Sequence, residues 1–165
     1  MGTYPFPYSF DSFCIDVVVR VQRINARLRQ PDATWSGVLF LDVPGEALDI
    51  SFYRLEGMSE LDKHRLALRI LPERIRSSGA RRFCWLMPAW RGNDDPLQEC
   101  LVLVFGERGR RALLLADVYR DGQQAPTFGP WQPGPGGKQP TEMSGLFIDP
   151  LMEALESVEP EAEAA

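Results

Sequence analysis

RRFCWLMP (Arg81–Pro88), ECLVLVFG (Glu99–Gly106) and RALLLADVYR (Arg111–Arg120) decide the fold. Each run is strand-sized, rich in apolar residues and bounded by turn or charged residues. In the middle of each, apolar residues fall on both faces, as in a central strand covered on two sides. The second and third are separated only by Glu107-Arg108-Gly109-Arg110, which reads as a tight hairpin. The three together read as an antiparallel meander.

Working toward the N-terminus, GVLFLDV (Gly37–Val43) is almost continuously apolar. Pro44-Gly45 then supplies a turn, Pro fixing φ and Gly permitting a positive value. Ala47–Arg54 alternates, with Leu48, Ile50 and Phe52 on one face and Asp49, Ser51 and Tyr53 on the other. That pattern predicts a half-exposed strand near a sheet edge, paired in a hairpin with the first. Its half-exposed character also raises pairing across a homodimer.

Helical spacing flanks this hairpin on both sides. Phe13, Val17, Val21, Ile24 and Leu28 form one apolar stripe over about Ser12–Arg29, capped by Ser9 or Asp11, with Arg20, Arg23 and Arg27 beside it. A second helix starts at the capping-box-like Ser59-Glu60-Leu61-Asp62 and stops at Gly79. Leu61, Leu68, Leu71 and Ile75 are expected to share one face and Leu66 and Ile70 to lie opposite, so the helix is expected to be covered on more than one side, with Pro72 kinking or breaking it. Asp149-Pro150 predicts the start of a short C-terminal helix carrying Leu151, Leu155 and Val158.

The expected class is therefore α+β. A roughly five-stranded, mostly antiparallel sheet (hairpin plus three-strand meander) packs with two main helices and a short C-terminal helix. Residues 1–10 read as an extended arm and 11–158 as a single domain. Within it, 121–144 form a Pro/Gly-rich loop, and 159–165 form an acidic, disordered tail.

At 165 residues the chain is long enough to bury a real core. Its net charge of −5 argues against a general binder of nucleic acid or membrane surfaces. Sixteen Arg against two Lys, with abundant Ala, Gly and Pro, read as a coding bias, and the chain as bacterial. Cys14, Cys84 and Cys100 sit in apolar runs without metal-binding or redox spacing, so free, buried thiols are expected. No basic-then-apolar leader opens the chain, and no apolar run nears the ~20 residues that span a bilayer. The expected location is the cytoplasm.

Motifs with dedicated chemistry are missing. There is no GxxxxGK[ST], no strand-to-helix GxGxxG and no GxSxG. His64, the only histidine, falls near the apolar stripe of the second helix and reads as a partly buried structural residue. No metal or other cofactor is expected. Asp42, Asp94, Asp95, Glu99 and Asp117 would bind Mg²⁺ if two or three converged. However, neither Lys63 nor Lys138 lies two residues after a strand-borne acid, as a PD-(D/E)xK nuclease requires. From Lys63 to Arg82, seven bases face one acid, so this segment is the one candidate for nucleic-acid contact.

The strongest candidate site is AWRGNDDPLQE (Ala89–Glu99), where a strand delivers Trp90 and Arg91 into an acidic loop holding Asp94 and Asp95. Trp and Arg are the residue types most enriched at binding hot spots. The Pro-rich loop adds Phe128 and Trp131. The resulting expectation is a non-catalytic binding or regulatory module for a protein or small molecule, using Trp90, Arg91, Asp94, Asp95, Glu99, Phe128 and Trp131. The competing expectation is a small Mg²⁺-dependent hydrolase or nuclease built on the carboxylates.

Overall fold

The computed structural model describes residues 8–91, 97–133 and 141–158; the side chains of Arg91 and of residues 141–146 lie outside that description. The order of elements is α1 (Phe10–Ala26), β1 (Gly37–Asp42), β2 (Asp49–Tyr53) and α2 (Glu60–Arg65). A π-helical turn (Leu66–Ile70) leads into α3 (Leu71–Ser78). Then come β3 (Arg82–Arg91), β4 (Gln98–Glu107), β5 (Arg110–Tyr119), β6 (Thr127–Phe128), β7 (Gln132–Pro133) and α4 (Thr141–Ser157). The fold is α+β, with an antiparallel sheet in the order β2-β1-β3-β4-β5-β6 and β7 also pairing β5.

The five principal strands are those the sequence predicts, and β2 is the edge. The two-residue strands β6 and β7 are additions, and they come from the stretch expected to be structureless. Both pair β5, covering what would otherwise be a bare edge. β1 is buried along its whole length, as its continuous apolar run requires.

Each face of the sheet has its own core. On one face α1 lays Phe10, Phe13, Val17 and Val21 against Val38, Phe40, Cys84, Leu86, Leu101, Leu103 and Phe105. On the other, the π-turn, α3 and α4 cover Leu39, Leu41, Phe83, Trp85, Val102 and Val104. The alternation along β3 and β4 is what splits these sets, since successive side chains point to opposite faces. Trp85 stacks on Phe147 at 5.5 Å and meets Tyr53 edge-on at 5.9 Å. Its ring occupies the space beside Gly37, where an added Cβ would lie 2.3 Å from Cη2.

The second helix departs from its expected phase. Ser59 caps it as predicted, its Oγ accepting from the Asp62 N–H at 3.1 Å. Leu66, Ala67, Leu71 and Ile75 are then buried, whereas Leu61 and Leu68 are exposed. The cause is the π-turn, where the Leu71 N–H reaches back to Leu66 O, one residue beyond the α-helical partner. One extra residue per turn rotates the later positions by about 100°, so Leu66 and not Leu68 aligns with Leu71. Pro72 sits at the start of α3. Lacking an N–H, it favours a break in the i→i−4 ladder just before it, so the expected kink takes the form of a π-turn.

Three further expectations are corrected. The C-terminal helix is not short: it begins at Thr141, runs 17 residues and contains Pro150. His64 is exposed rather than partly buried, its Nδ1 paired with Glu60 O at 2.8 Å in its own helix. The 121–144 stretch is not one loop, since β6, β7 and the first turn of α4 fall inside it.

Cys84 and Cys100 are buried and Cys14 is half-buried, and none of the three forms a disulfide. Burial, reinforced by Asp11, pushes the Cys14 thiol up to about 11. It is therefore protonated at neutral pH and a poor nucleophile. No helix among the described residues is long and apolar enough to cross a membrane.

Candidate functional site

Register brings four of the candidate residues onto one rim of the sheet. Trp90 pairs with Glu99 across β3 and β4. One step beyond the Cys100–Asp117 pair, the β4–β5 register sets Glu99 opposite Val118. Gln98 ties this end together, its Nε2 donating to Val118 O and Glu99 O, both at 2.9 Å. Val118 pairs with Phe128 of β6. The row Trp90–Glu99–Val118–Phe128 therefore crosses four strands on the face that α1 covers, spanning roughly 14 Å at ~4.8 Å per strand. Trp131 joins its end, packed on Phe128 at 5.3 Å between ring centres.

The two indoles differ in what they offer. Trp90 is 59% exposed. Trp131 is half-buried against the α1-side core, and its Nε1 is shielded without a hydrogen-bond partner among the described residues. Trp90 is thus available for contact, while Trp131 supports the end of the row. Arg91 closes β3, and its side chain, with Asp94 and Asp95, lies outside the described residues.

Beside the row stands an ion pair. Arg120 Nε and Nη2 reach Glu99 Oε2 and Oε1 at 2.7 and 3.0 Å, a bidentate fork. Nη1 donates to Pro31 O at 3.1 Å. The guanidinium also lies 5.8 Å from the ring centre of Trp35, which is itself buried. Arg120 therefore ties the rim to the segment between α1 and β1. The hydrogen bond to Glu99 raises its pKa further, so the charge is permanent. Neither Arg120 nor Trp35 was legible as part of the site. Arg120 reads in sequence as the end of a strand, and Trp35 sits in the polar stretch Ala33-Thr34-Trp35-Ser36-Gly37. Only the fold joins them.

Behind Arg120 a shallow cleft of about 360 Å³ opens, lined in part by Gln98, Val118, Tyr119, Arg120, Asp121 and Thr127. Its outer wall is the turn after β5, where Asp121 Oδ1 accepts from the Gln123 and Gln124 N–H groups, both at 2.8 Å. Those two bonds, Gln124's first, lower the Asp121 pKa and hold the carboxylate ionised.

The described carboxylates Asp42, Glu99 and Asp117 do not gather; Asp94 and Asp95 lie outside the described residues. Glu99 faces α1, while Asp117, level with Cys100, points to the opposite face. Asp42 shares a row with Arg82 and Glu107, almost the full length of β4 from Glu99, or roughly 27 Å at ~3.4 Å per residue. Among the described residues no group of three His, Cys, Asp or Glu side chains is placed to hold a metal ion.

The basic segment is similarly dispersed. Lys63, Arg65 and Arg76 each face an acid one turn away, Arg74 meets Asp49 at 2.8 Å, and Arg81 and Arg82 converge on Asp42. It forms no continuous basic stripe of the kind that follows a phosphate backbone. A cleft of about 590 Å³ lies there, in which Arg65, Arg69 and Arg76 border Leu68 and Ile70, both turned outward.

Replacing Arg120 by Met will test whether the ion pair is scaffold. Glu99, with only 15% of its side chain exposed, would lose both charged bonds. We expect a loss of roughly 2 kcal/mol in urea unfolding, the range for hydrogen bonds to charged groups. A change below ~0.5 kcal/mol would mean that solvent already carries the pair.

No family model matches the chain, and no curated protein and no solved structure matches it either.

Proposed function

We propose that this chain is a non-catalytic binding module that captures a peptide segment of a partner protein on the Trp90 rim. The observation that carries this reading is Trp90 itself, a large indole 59% exposed at the end of an otherwise packed strand. Exposed indoles fixed on a rigid scaffold are the usual anchors of recognition surfaces. The scaffold here is specific: β3–β4 pairing sets the position of Trp90, and the Glu99–Arg120 fork braces the neighbouring strand. Arg91 follows Trp90 in sequence, and Asp94 and Asp95 come soon after, so charged residue types lie close to Trp90 along the chain. A hydrolase reading built on Asp94, Asp95, Glu99 and Asp117 has less support among the described residues, because Glu99 and Asp117 point to opposite faces of the sheet.

The test uses peptides selected from a random display library against the wild-type protein. Trp90→Ala should weaken the selected peptides at least tenfold, about 1.4 kcal/mol. Its thermal midpoint should barely move, since an exposed side chain contributes within about 0.5 kcal/mol. Unchanged affinity, or a large fall in the midpoint, would contradict the proposal.

A further inference from the structure

We infer that two copies of this chain join through β2, edge to edge, into one continuous antiparallel sheet. β2 ends the strand order and, among the described residues, is paired on one side only, with β1. Its partnering with β1 runs unbroken from Gly37–Tyr53 to Leu41–Asp49, so no bulge twists the edge away. Asp49-Ile50-Ser51-Phe52-Tyr53 contains neither Lys nor Pro. It therefore carries no Lys, Pro or bulge to block the edge, and its one charged residue is Asp49. Phe52 is 59% exposed on the same edge.

The residue pattern favours a second copy over an unrelated strand. A twofold axis through Ser51 sets Phe52 opposite Ile50 of the partner subunit, and Ile50 opposite Phe52 of the partner subunit. Both apolar pairs fall on the face that α1 covers. On the other face Asp49 meets Tyr53 of the partner subunit. At the axis identical side chains must face each other with Cα atoms about 4.5–5.5 Å apart. A long or charged residue there would oppose itself, whereas Ser51 is small and uncharged. Asp49 is already matched by Arg74 at 2.8 Å, so the seam gains no stranded carboxylate. Trp90 lies on β3 and its row runs toward β6, away from β2, so joining at β2 leaves that rim open.

A seam of this length belongs to the small, reversible class of interface. Sedimentation velocity of the wild-type chain from about 1 to 200 µM should show a monomer–dimer equilibrium in the micromolar range. Phe52→Glu should weaken dimerisation at least tenfold without loss of the folded far-UV spectrum. Ser51→Cys, in a Cys14→Ser background with oxidised glutathione, should give a disulfide-linked dimer, because the axis brings the two copies of position 51 within bridging distance. A chain that sediments as a monomer throughout, or a dimer that survives Phe52→Glu and fails to cross-link at position 51, would overturn the inference.

Discussion

Arg82→Met will lower the unfolding free energy by about 3 kcal/mol, at the lower end of the ~3–5 kcal/mol typical of a broken buried ion pair. Asp42, 7% exposed, is the buried charged residue of the described chain. Its Oδ2 accepts from Arg82 Nη1 at 2.7 Å, and Arg82 Nε donates to Glu107 Oε1 at 2.8 Å. These three residues form one row across β1, β3 and β4. Removing the guanidinium leaves two carboxylates in that row with no cation between them. Arg81 Nε still reaches Asp42 at 3.2 Å, but from a half-exposed side chain, which is why the lower end applies. For a chain of this size the loss corresponds to a fall of roughly 6–12 °C in the thermal midpoint. Asp42→Asn should cost less in the Arg82→Met background than in the wild type, because the two residues share one interaction. A loss below ~1 kcal/mol for Arg82→Met would show that the row is solvated.

Gly106→Ala should be comparably damaging, through space and not through backbone freedom. Gly106 pairs with Phe83 across β4 and β3. A Cβ there would lie 2.1 Å from Phe83 Cε1, 2.6 Å from Cζ and 2.7 Å from Met152 Sδ. Met152 can shift its flexible end, but the Phe83 ring is fully buried with nowhere to move. Overpacking of this kind costs about 1–3 kcal/mol, occasionally more, and we expect the upper end in chemical denaturation. Adding Phe83→Leu to Gly106→Ala should return part of the loss by vacating the overlap. If Gly106→Ala alone were neutral, the Phe83 ring would have to sit further from position 106 than the structure places it.

How much of this was readable in the sequence depends on whether the signal was local. The meander was legible because runs such as Cys100–Phe105 are apolar on both faces and end in turn residues. The edge position of β2 was legible in its alternation. The phase of the second helix was not: a π-turn inserts one residue into a 3.6-residue repeat, and Pro72 signals a disturbance without its form. α4 was foreshortened because Asp149-Pro150 reads as a helix cap and first turn and Gly145 as the end of a Pro/Gly-rich loop, while α4 packs against α3 and the π-turn along a longer helical segment. Gly106 read only as the end of a strand, since its clash partners are distant in sequence. At the rim, Trp90, Glu99, Phe128 and Trp131 could be named from residue type. Their common row depends on register across four strands, and the Arg120–Trp35 brace depends on a contact between segments far apart in the chain.

The most direct test of the Trp90 rim is an amide and indole chemical-shift titration of the ¹⁵N-labelled chain with a display-selected peptide. The binding account predicts the largest shifts at the Trp90 indole N–H and at the backbone amides of Glu99, Val118 and Phe128. Shifts gathered instead at Leu68, Arg69 and Ile70, with the Trp90 indole unmoved, would contradict it and place recognition on the arginine-bordered cleft.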